Sequence, residues 1–319
     1  MSFSYEHATS REDALARLAA PGVVPVAGGT DLVPCYEDGI IAPSAVVDIR
    51  RIPGMRDITR QPDGCISIGA AVTIAELATH PEIRAQIPML AEACASAGTP
   101  ALRNAGSLGG NLAQRHHCWY FRRGVGCFKR GGSQCAAVDG EHQYHGIIAD
   151  GTCRAVHPSD PAVALLALGA TVEIASYGSA SRESGIDTLF ESAANDPAKE
   201  AQLATGELVV AVLIPAEAGG GAQHWEKVMQ RAAWDFALVS CAAARRADGT
   251  VRMAMGGLAL GPWRVPLSVE EDVASGGLDE DSIDALVERA FYDAQPLAHN
   301  GYKREMAQGV LKRAIQSLG

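Results

Sequence analysis

Residues 23–33 read VVPVAGGTDLV, a short apolar run that leads directly into Gly28 and Gly29. Residues 106–111 read GSLGGN, a second glycine pair flanked by Ser107 and Asn111. Consecutive glycines let neighbouring backbone N–H groups turn toward one anion, and this arrangement suits a pyrophosphate. Each stretch alone could be an ordinary tight turn. The two together favour a cofactor cradle. The 34 glycines include no G-x-G-x-x-G and no Gly-Lys pair, which argues against a Rossmann fingerprint and a P-loop.

The length of the chain, its charge and its apolar runs restrict the class of protein. A length of 319 residues favours two domains. A formal net charge of −10 with no basic run argues against nucleic-acid binding, which needs clustered Lys and Arg. The most apolar run, residues 161–172, is shorter than the roughly 20 residues of a membrane span. The N-terminus has no visible signal peptide. We therefore expect no membrane insertion.

Periodicity along the chain predicts an α+β fold with a break near the glycines at 219–221. Strands and helices intermingle without a regular βαβ series. We expect residues 81–97 to form a helix and residues 99–111 to be loop-like. Asp160 is expected to cap the helix that begins at Pro161. The predicted strands are at about 3–7, 23–27, 45–49, 65–70, 171–176, 207–214, 225–230, 236–243 and 251–258, and the last helices at 281–292 and 302–318.

Four of the eight cysteines fall within a short, glycine-rich and basic stretch. They are Cys118, Cys127, Cys135 and Cys153. The spacing lacks the C-x-x-C of zinc ribbons and the C-x2-C-x2-C run of bacterial ferredoxins. Soft thiolates suit an iron–sulfur cluster, and nearby arginines, lysines and free amides would stabilise its negative charge. Five histidines in the same region keep a mixed Cys/His zinc site open as an alternative.

An ordered set of motifs resembles a known family along nearly the whole chain. The segments 25–33 and 107–111 resemble the two FAD loops of the flavoprotein (medium) subunits of molybdopterin dehydrogenases, within the xanthine oxidase superfamily. The run from Cys118 through Tyr144 and His145 resembles an insertion found in a subset of these subunits. That subset includes the flavoprotein of periplasmic aldehyde oxidoreductase, where the insertion carries a [4Fe–4S] cluster. The segments 157–160 (HPSD) and 227–231 (KVMQR) resemble further FAD-contacting segments.

The resemblance implies a fold and a set of partners. Residues 1–215 would form a PCMH-type FAD-binding domain of two α+β subdomains, with the Fe–S insertion at about 115–155. Residues 222–319 would form a small domain resembling the C-terminal domain of the CO dehydrogenase flavoprotein, with a three-stranded antiparallel sheet packed on helices. The expected partners are a large molybdenum-cofactor subunit, a small [2Fe–2S] subunit and an external electron acceptor.

The resemblance also implies the site residues. No catalytic residue is expected, because the organic substrate would react on the partner subunit. Asp160 would accept hydrogen bonds from FAD, and Lys227 would place positive charge near the flavin. The FAD-binding residues are predicted to be Pro25, Val26, Ala27, Gly28, Gly29, Thr30, Asp31, Leu32, Val33, Ser107, Gly110, Asn111, Asp160 and Lys227, and the cluster ligands Cys118, Cys127, Cys135 and Cys153.

Two departures from the family pattern matter. The family often has Asn where this chain has Asp31, so we expect this carboxylate to face away from the pyrophosphate or to bond a backbone amide. The long gap before Cys153 makes His142 or His145 alternative fourth ligands. Alternative functions are the flavoprotein subunit of an aromatic acyl-CoA reductase and a stand-alone FAD oxidoreductase with a zinc-stapled loop. The expected location is the cytoplasm, or the periplasm if a partner carries the signal.

Overall fold

A computed structural model of the protein describes residues 3–148, 153–196, 198–231 and 233–319. Its strands form three sheets, of which one is parallel and two are antiparallel. Helices lie between and around these sheets, so the predicted α+β class is confirmed. No helix in the described part of the chain has both the length and the apolar character needed to cross a membrane.

The first subdomain is built on a three-stranded parallel sheet in the order β1-β3-β2. Ser10 begins its first helix, because its hydroxyl accepts a hydrogen bond from the amide of Asp13. The strand β2 ends where the first glycine loop begins. The elements are β1 (Ser4–His7), α1 (Arg11–Leu18), β2 (Val23–Val26), α2 (Leu32–Glu37) and β3 (Ala45–Asp48).

The second subdomain has a five-stranded antiparallel sheet in the order β4-β5-β8-β6-β7. Thr73 and Glu76 form a capping box that starts the helix α3. The elements are β4 (Ile58–Arg60), β5 (Ile66–Gly69), α3 (Ile74–Thr79), α4 (Pro81–Gln86), α5 (Pro88–Ser96), α6 (Pro100–Ala105), α7 (Leu108–Leu112), α8 (Trp119–Arg122), a 3₁₀ turn (Phe128–Arg130), α9 (Asp160–Leu168), β6 (Thr171–Ala175), β7 (Arg182–Gly185), α10 (Ile186–Asn195) and β8 (Leu208–Ile214).

Two expectations for this region are wrong. The predicted helix over 81–97 is two helices, because Pro88 lacks an amide hydrogen and starts a new helix after Ile87, whose backbone is not helical. The predicted loop over 99–111 contains α6 and α7, which are capped by the side chains of Thr99 and Ser107. The sequence of α7, LGGNL, has poor intrinsic helix propensity, so its helical turn depends on the cap and on packing.

The C-terminal unit is a four-stranded antiparallel sheet in the order β12-β11-β10-β9. The expected sheet has three strands, and the additional one is a two-residue edge strand. Alternate residues of β10 belong to two different cores: Ala242 and Ala244 to the larger one, Cys241 and Ala243 to the C-terminal one. The elements are a 3₁₀ turn (Ala216–Ala218), β9 (Gln223–Val228), β10 (Val239–Arg245), β11 (Val251–Gly256), β12 (Trp263–Arg264), α11 (Leu267–Ser275), α12 (Glu280–Ala290) and α13 (Tyr302–Ser317).

Candidate cofactor site

A cavity of about 600 Å³ lies between the two glycine loops, and we call it the first cavity. Its volume falls within the range typical of small-molecule sites. The predicted residues that line it are Pro25, Val26, Ala27, Gly28, Gly29, Thr30, Asp31, Leu32, Ser107, Gly110, Asn111, Asp160 and Lys227. Val33 is the exception, since it lies outside this lining and its side chain is exposed on α2. The fold therefore gathers residues from both loops, α9 and β9 around one space.

Glycine is required where the two loops meet. A Cβ atom on Gly28 would stand 1.9 Å from the carbonyl oxygen of Ala105, so the two backbones pack in direct contact. Gly29 has a φ of +69°, a left-handed conformation that other residues rarely adopt. These two positions keep the backbone of the first loop at the wall of the cavity, where its amides can approach a ligand closely.

The second loop is held by its own cap and by the neighbouring sheet. The Ser107 hydroxyl accepts a hydrogen bond from the Gly110 amide at 3.3 Å. The Gly109 amide donates to the carbonyl of Ala70 at 2.8 Å, which ties the loop to the end of β5. The Asn111 side chain accepts a hydrogen bond from the Ser159 hydroxyl at the start of α9. The geometry of this loop is therefore set before any ligand binds.

A buried ion pair also lines the cavity. The Nζ of Lys227 is 2.7 Å from a carboxylate oxygen of Asp160 and donates a second hydrogen bond, of 2.9 Å, to the carbonyl of Ser96. The two charged side chains are 3% and 6% exposed, so water screens this pair little. Burial raises the pKa of Asp160, and Lys227 offsets part of that effect, leaving the pKa at about 6.

Ser159, rather than Asp160, caps α9. The Ser159 hydroxyl accepts a hydrogen bond from the amide of Ala162 at 3.1 Å, while Asp160 is the first helical residue. The predicted capping role of Asp160 is therefore wrong. Its carboxylate is directed instead to Lys227, because the buried cation on β9 is a stronger partner than the helix amides.

Asp31 faces the insertion, which agrees with the expectation for this carboxylate. One carboxylate oxygen accepts a hydrogen bond from the backbone amide of Arg115 at 2.8 Å, and the other accepts one from the guanidinium of Arg122 at 2.6 Å. The guanidinium also donates to the Sγ of Cys35 at 2.9 Å. Asp31 thus ties the first glycine loop to the cysteine-rich insertion.

The structure adds lining residues that sequence reasoning missed. Gln114, Arg115 and His117 reach the first cavity from the chain after α7, and Trp234 and Phe236 reach it from the segment between β9 and β10. His117 and Phe236 pack together, with ring centroids 4.7 Å apart. Residues 114–117 and 234–236 are far apart in the sequence, and no motif in either segment indicates that they meet at one cavity.

The four clustered cysteines line one small cavity, which we call the cysteine cavity. Cys118, Cys127, Cys135 and Cys153 reach it together with Lys129. All eight cysteines of the chain are free thiols. Burial raises the pKa of the Cys153 thiol to about 11. This donor set fits a group that binds several thiolates, because such a group supplies the charge needed to ionise them.

The two neighbouring histidines differ in their hydrogen bonding. His142 donates from Nδ1 to the carbonyl of Ala137 at 2.8 Å and accepts at Nε2 from the amide of His299 at 2.9 Å, so both ring nitrogens are used. His145 places Nε2 3.3 Å from the Sγ of Cys118. Among the described residues, no three Cys, His, Asp or Glu side chains are grouped as a single metal ion would need.

A buried charge network fixes the insertion to the second subdomain. The carboxylate of Glu200 accepts hydrogen bonds from the Nε of Arg115 at 3.1 Å and from the Nζ of Lys129 at 3.2 Å. One of its oxygens lies 3.5 Å from Nδ1 of His116. Burial alone would raise the pKa of Glu200. The contact with His116 and the charge of Lys129 outweigh burial and lower the pKa to about 2.

Two glycine loops around one cavity, with a buried carboxylate and lysine at its wall, define a binding site for a pyrophosphate-bearing cofactor. The comparisons with known proteins give the cofactor and the family. Residues 1–217 match the model of the FAD binding domain in molybdopterin dehydrogenase, and residues 226–318 match that of the CO dehydrogenase flavoprotein C-terminal domain. This chain belongs to the family of FAD-binding subunits of molybdopterin dehydrogenases and is an oxidoreductase subunit.

Individual relatives agree with this family. The chain is 35% identical to the aldehyde oxidoreductase FAD-binding subunit PaoB of Escherichia coli K12, over 98% of this chain and 97% of the relative. It is 24% identical to the glyceraldehyde dehydrogenase medium chain of Sulfolobus acidocaldarius, over 99% and 98%. These relatives favour the molybdenum hydroxylase interpretation over an acyl-CoA reductase subunit or a stand-alone oxidoreductase.

Solved structures show the same fold. The carbon monoxide dehydrogenase from Oligotropha carboxidovorans aligns with a TM-score of 0.77 at 21% identity, covering 100% of this chain and 98% of that chain. The quinoline 2-oxidoreductase from Pseudomonas putida 86 aligns with a TM-score of 0.75 at 22% identity, covering 100% and 97%. At this identity the likeness establishes the fold alone.

Proposed function

We propose that this chain is the FAD-binding electron-transfer subunit of a molybdenum hydroxylase complex of the aldehyde, xanthine or N-heterocycle dehydrogenase type. The observation that carries the proposal is the first cavity, which brings both glycine loops, Asp160 and Lys227 to one space of about 600 Å³. The full-length likeness to an aldehyde oxidoreductase subunit supports the aldehyde type first.

Each wall of the first cavity has a distinct part in this proposal. When bound, FAD carries electrons between the partner subunits and an external acceptor. The backbone of Gly28 and Gly29 holds one side of its pyrophosphate, and the capped loop over 107–111 holds the other. Asp160 accepts hydrogen bonds from the cofactor, and Lys227 keeps that carboxylate ionised. The role of the chain is to hold, orient and electrostatically adjust the cofactor.

The cysteine cavity is proposed to hold a [4Fe–4S] cluster. Four cysteines on its wall support this assignment. A zinc ion at about 2.3 Å from each sulfur would need the sulfurs roughly 3.8 Å apart. A [4Fe–4S] cluster would hold its four thiolates further apart than a single zinc ion does. Cys153 is preferred to His142 as fourth ligand, because both nitrogens of that ring are already hydrogen-bonded.

The partners and compartment follow from the same proposal. We infer a large molybdenum-cofactor subunit on which the organic substrate reacts, a small [2Fe–2S] subunit, and an external acceptor. The relatives include the carbon monoxide dehydrogenase medium chain of Hydrogenophaga pseudoflava, 34% identical over 36% of this chain and 40% of that relative. The proposed location is the cytoplasm, or the periplasm where a partner carries the export signal. Fractionation of cells that produce the whole complex tests the location.

The experiment is a visible spectrum of the anaerobically purified chain, with flavin, iron, acid-labile sulfide and zinc measured on the same sample. We expect about one flavin, four iron and four sulfide per chain. Cys127→Ser should lose iron and sulfide and keep flavin. The matched control is Cys65→Ser, which removes a half-buried thiol outside the cysteine cavity and should keep all three.

Each result has a separate meaning. Flavin with zinc and without sulfide would retain the FAD assignment and overturn the cluster. A folded chain with neither flavin nor iron would overturn the proposed function as a whole. Loss of iron in both cysteine variants would indicate that iron binding reflects overall stability rather than the four named ligands.

A further inference from the structure

A second cavity, of about 410 Å³, lies between the insertion and the C-terminal sheet. The proposed function leaves it without a role. Its walls include Trp119, Tyr144 and Phe236, which offer aromatic faces, and His157, Ser240 and Gly256, which bring polar groups and backbone. A mostly apolar space with a few polar groups is typical of a small-molecule site.

Three lining residues each carry a buried polar atom that has no hydrogen-bond partner in the described part of the chain. They are Nδ1 of His145, Nε2 of His157 and the hydroxyl of Ser240. The residues are 4%, 5% and 0% exposed. A buried polar group without a partner costs about 1–3 kcal/mol, so three around one cavity indicate a ligand or ordered water there.

The local hydrogen bonds define what His157 and Ser240 offer to a ligand. The amide of Ser159 donates to Nδ1 of His157 at 3.3 Å, so the proton of the neutral ring is on Nε2. Ser240 pairs with Gly256 across the sheet, and a Cβ atom on that glycine would stand 2.5 Å from the Ser240 hydroxyl oxygen. A larger residue at position 256 would therefore collide with the hydroxyl. Both groups can donate to a ligand that accepts hydrogen bonds.

The charged side chains on the described lining are already paired. Arg231 binds Asp235 at 2.9 Å, and Asp160 binds Lys227 at 2.7 Å. An ionic ligand would find no unpaired charge of opposite sign among these four groups. The aromatic walls favour a planar molecule. The lining therefore selects a neutral, flat ligand with hydrogen-bond acceptors at its edge.

The second cavity adjoins the first. His117, Pro158, Asp160, Asp235 and Phe236 line both. Cys118, which also lines the cysteine cavity, reaches the second cavity from the insertion. A molecule bound in the second cavity would therefore lie beside the cofactor site.

We propose that the second cavity binds a neutral, planar aromatic carbonyl compound, the chemical class that includes the quinones. His157 and Ser240 donate hydrogen bonds to its carbonyl oxygen, and Trp119, Tyr144 and Phe236 enclose its rings. The binding itself is independent of the proposed function. Its role as the docking site of the external electron acceptor rests on that function.

The test is calorimetric titration of the full-length, flavin-loaded chain with coumarin, a planar carbonyl compound that leaves thiols unmodified. Naphthalene is the matched ligand without oxygen. We expect saturable 1:1 coumarin binding, and roughly fivefold weaker naphthalene binding from the loss of a hydrogen bond. His157→Phe and Ser240→Ala should each weaken coumarin binding by about three- to tenfold. His80→Phe is the control, because His80 also has a buried unpartnered nitrogen but lies outside both cavities.

Absence of saturable coumarin binding would overturn the proposal and would mean that water alone satisfies the three atoms. Equal binding of naphthalene, or unchanged binding in both cavity variants, would overturn it as well. Flavin content is read from absorbance on the same samples. A flavin-loaded chain that ignores coumarin refutes this site and leaves the proposed function intact. A flavin-free chain whose coumarin binding still depends on His157 and Ser240 supports this site and overturns the proposed function. The two outcomes are separable because neither residue lines the first cavity.

Discussion

Replacing Lys227 by methionine leaves the Asp160 carboxylate buried without its cation. The side chains are 3% and 6% exposed, and the Nζ lies 2.7 Å from the carboxylate and 2.9 Å from the carbonyl of Ser96. Breaking a buried pair by removing one partner typically costs about 3–5 kcal/mol, because the other charge remains desolvated. We expect Lys227→Met to lose stability by about that amount and to lower the flavin retained on purification.

The assay is urea unfolding at pH 7, followed by circular dichroism, on the chain and its variants. The double variant Asp160→Asn with Lys227→Met removes both charges and should recover much of the loss. The matched control is Lys312→Met. Lys312 pairs with Asp284 and Glu280 at the surface, where water screens the charges, so its loss should change the free energy of unfolding far less than the loss of Lys227.

The pH dependence gives an independent check on the same pair. The pKa of Asp160 is raised to about 6 in the folded chain, from 3.8. The folded state therefore holds its proton over that window while the unfolded state releases it. Stability from this group falls as pH rises from about 4 to about 6, by roughly 3 kcal/mol. The double variant should lack that fall. A Lys227→Met chain within about 1 kcal/mol of wild type, or a double variant no more stable than the single one, would refute the reasoning.

Three further predictions use other contacts. Gly28→Ala should destabilise the chain by about 3 kcal/mol and release flavin, because its Cβ would overlap the Ala105 carbonyl. The control Gly126→Ala places its Cβ in open space and should change neither stability nor flavin content. Equal flavin content in the two variants would contradict this prediction. Lys303 is buried among three carbonyl oxygens, and burial lowers its pKa to about 7. The stability of the wild type should therefore rise relative to Lys303→Met from pH 7 to 10.5, by roughly 5 kcal/mol, and parallel pH curves in urea unfolding would contradict this. Glu200→Gln should lower the free energy of unfolding by about 3 kcal/mol at pH 7, because the pKa of Glu200 is lowered to about 2 in the folded chain. The difference in stability between wild type and variant should shrink below pH 4.5. A difference in thermal unfolding that does not change with pH would show that the ionised carboxylate is not its cause.

The sequence predicts those parts of the fold that depend on local chemistry. Ser10 and Thr73 begin helices because their side chains reach amides three residues away. The alternating pattern and glycine boundaries give nine strands to within a few residues but miss β4, β7 and β12. Elements with weak local signals are missed: α7 contains two glycines in five residues, and its turn is stabilised by the Ser107 cap and by contacts with Val72 and Ala70.

The sequence by itself determined the candidate residues: the two glycine loops, the four clustered cysteines, Asp160 and Lys227. These are short motifs whose residue types are demanded by backbone geometry and ligand chemistry. The tertiary structure alone decided their partners. Asp31 pairs with Arg122, which lies 91 positions further along the chain. Asp160 pairs with Lys227, 67 positions away, instead of capping its helix. His157 and Ser240 line the same cavity. Such pairings depend on how sheets and helices pack, and this packing is set by many weak contacts that no single motif records.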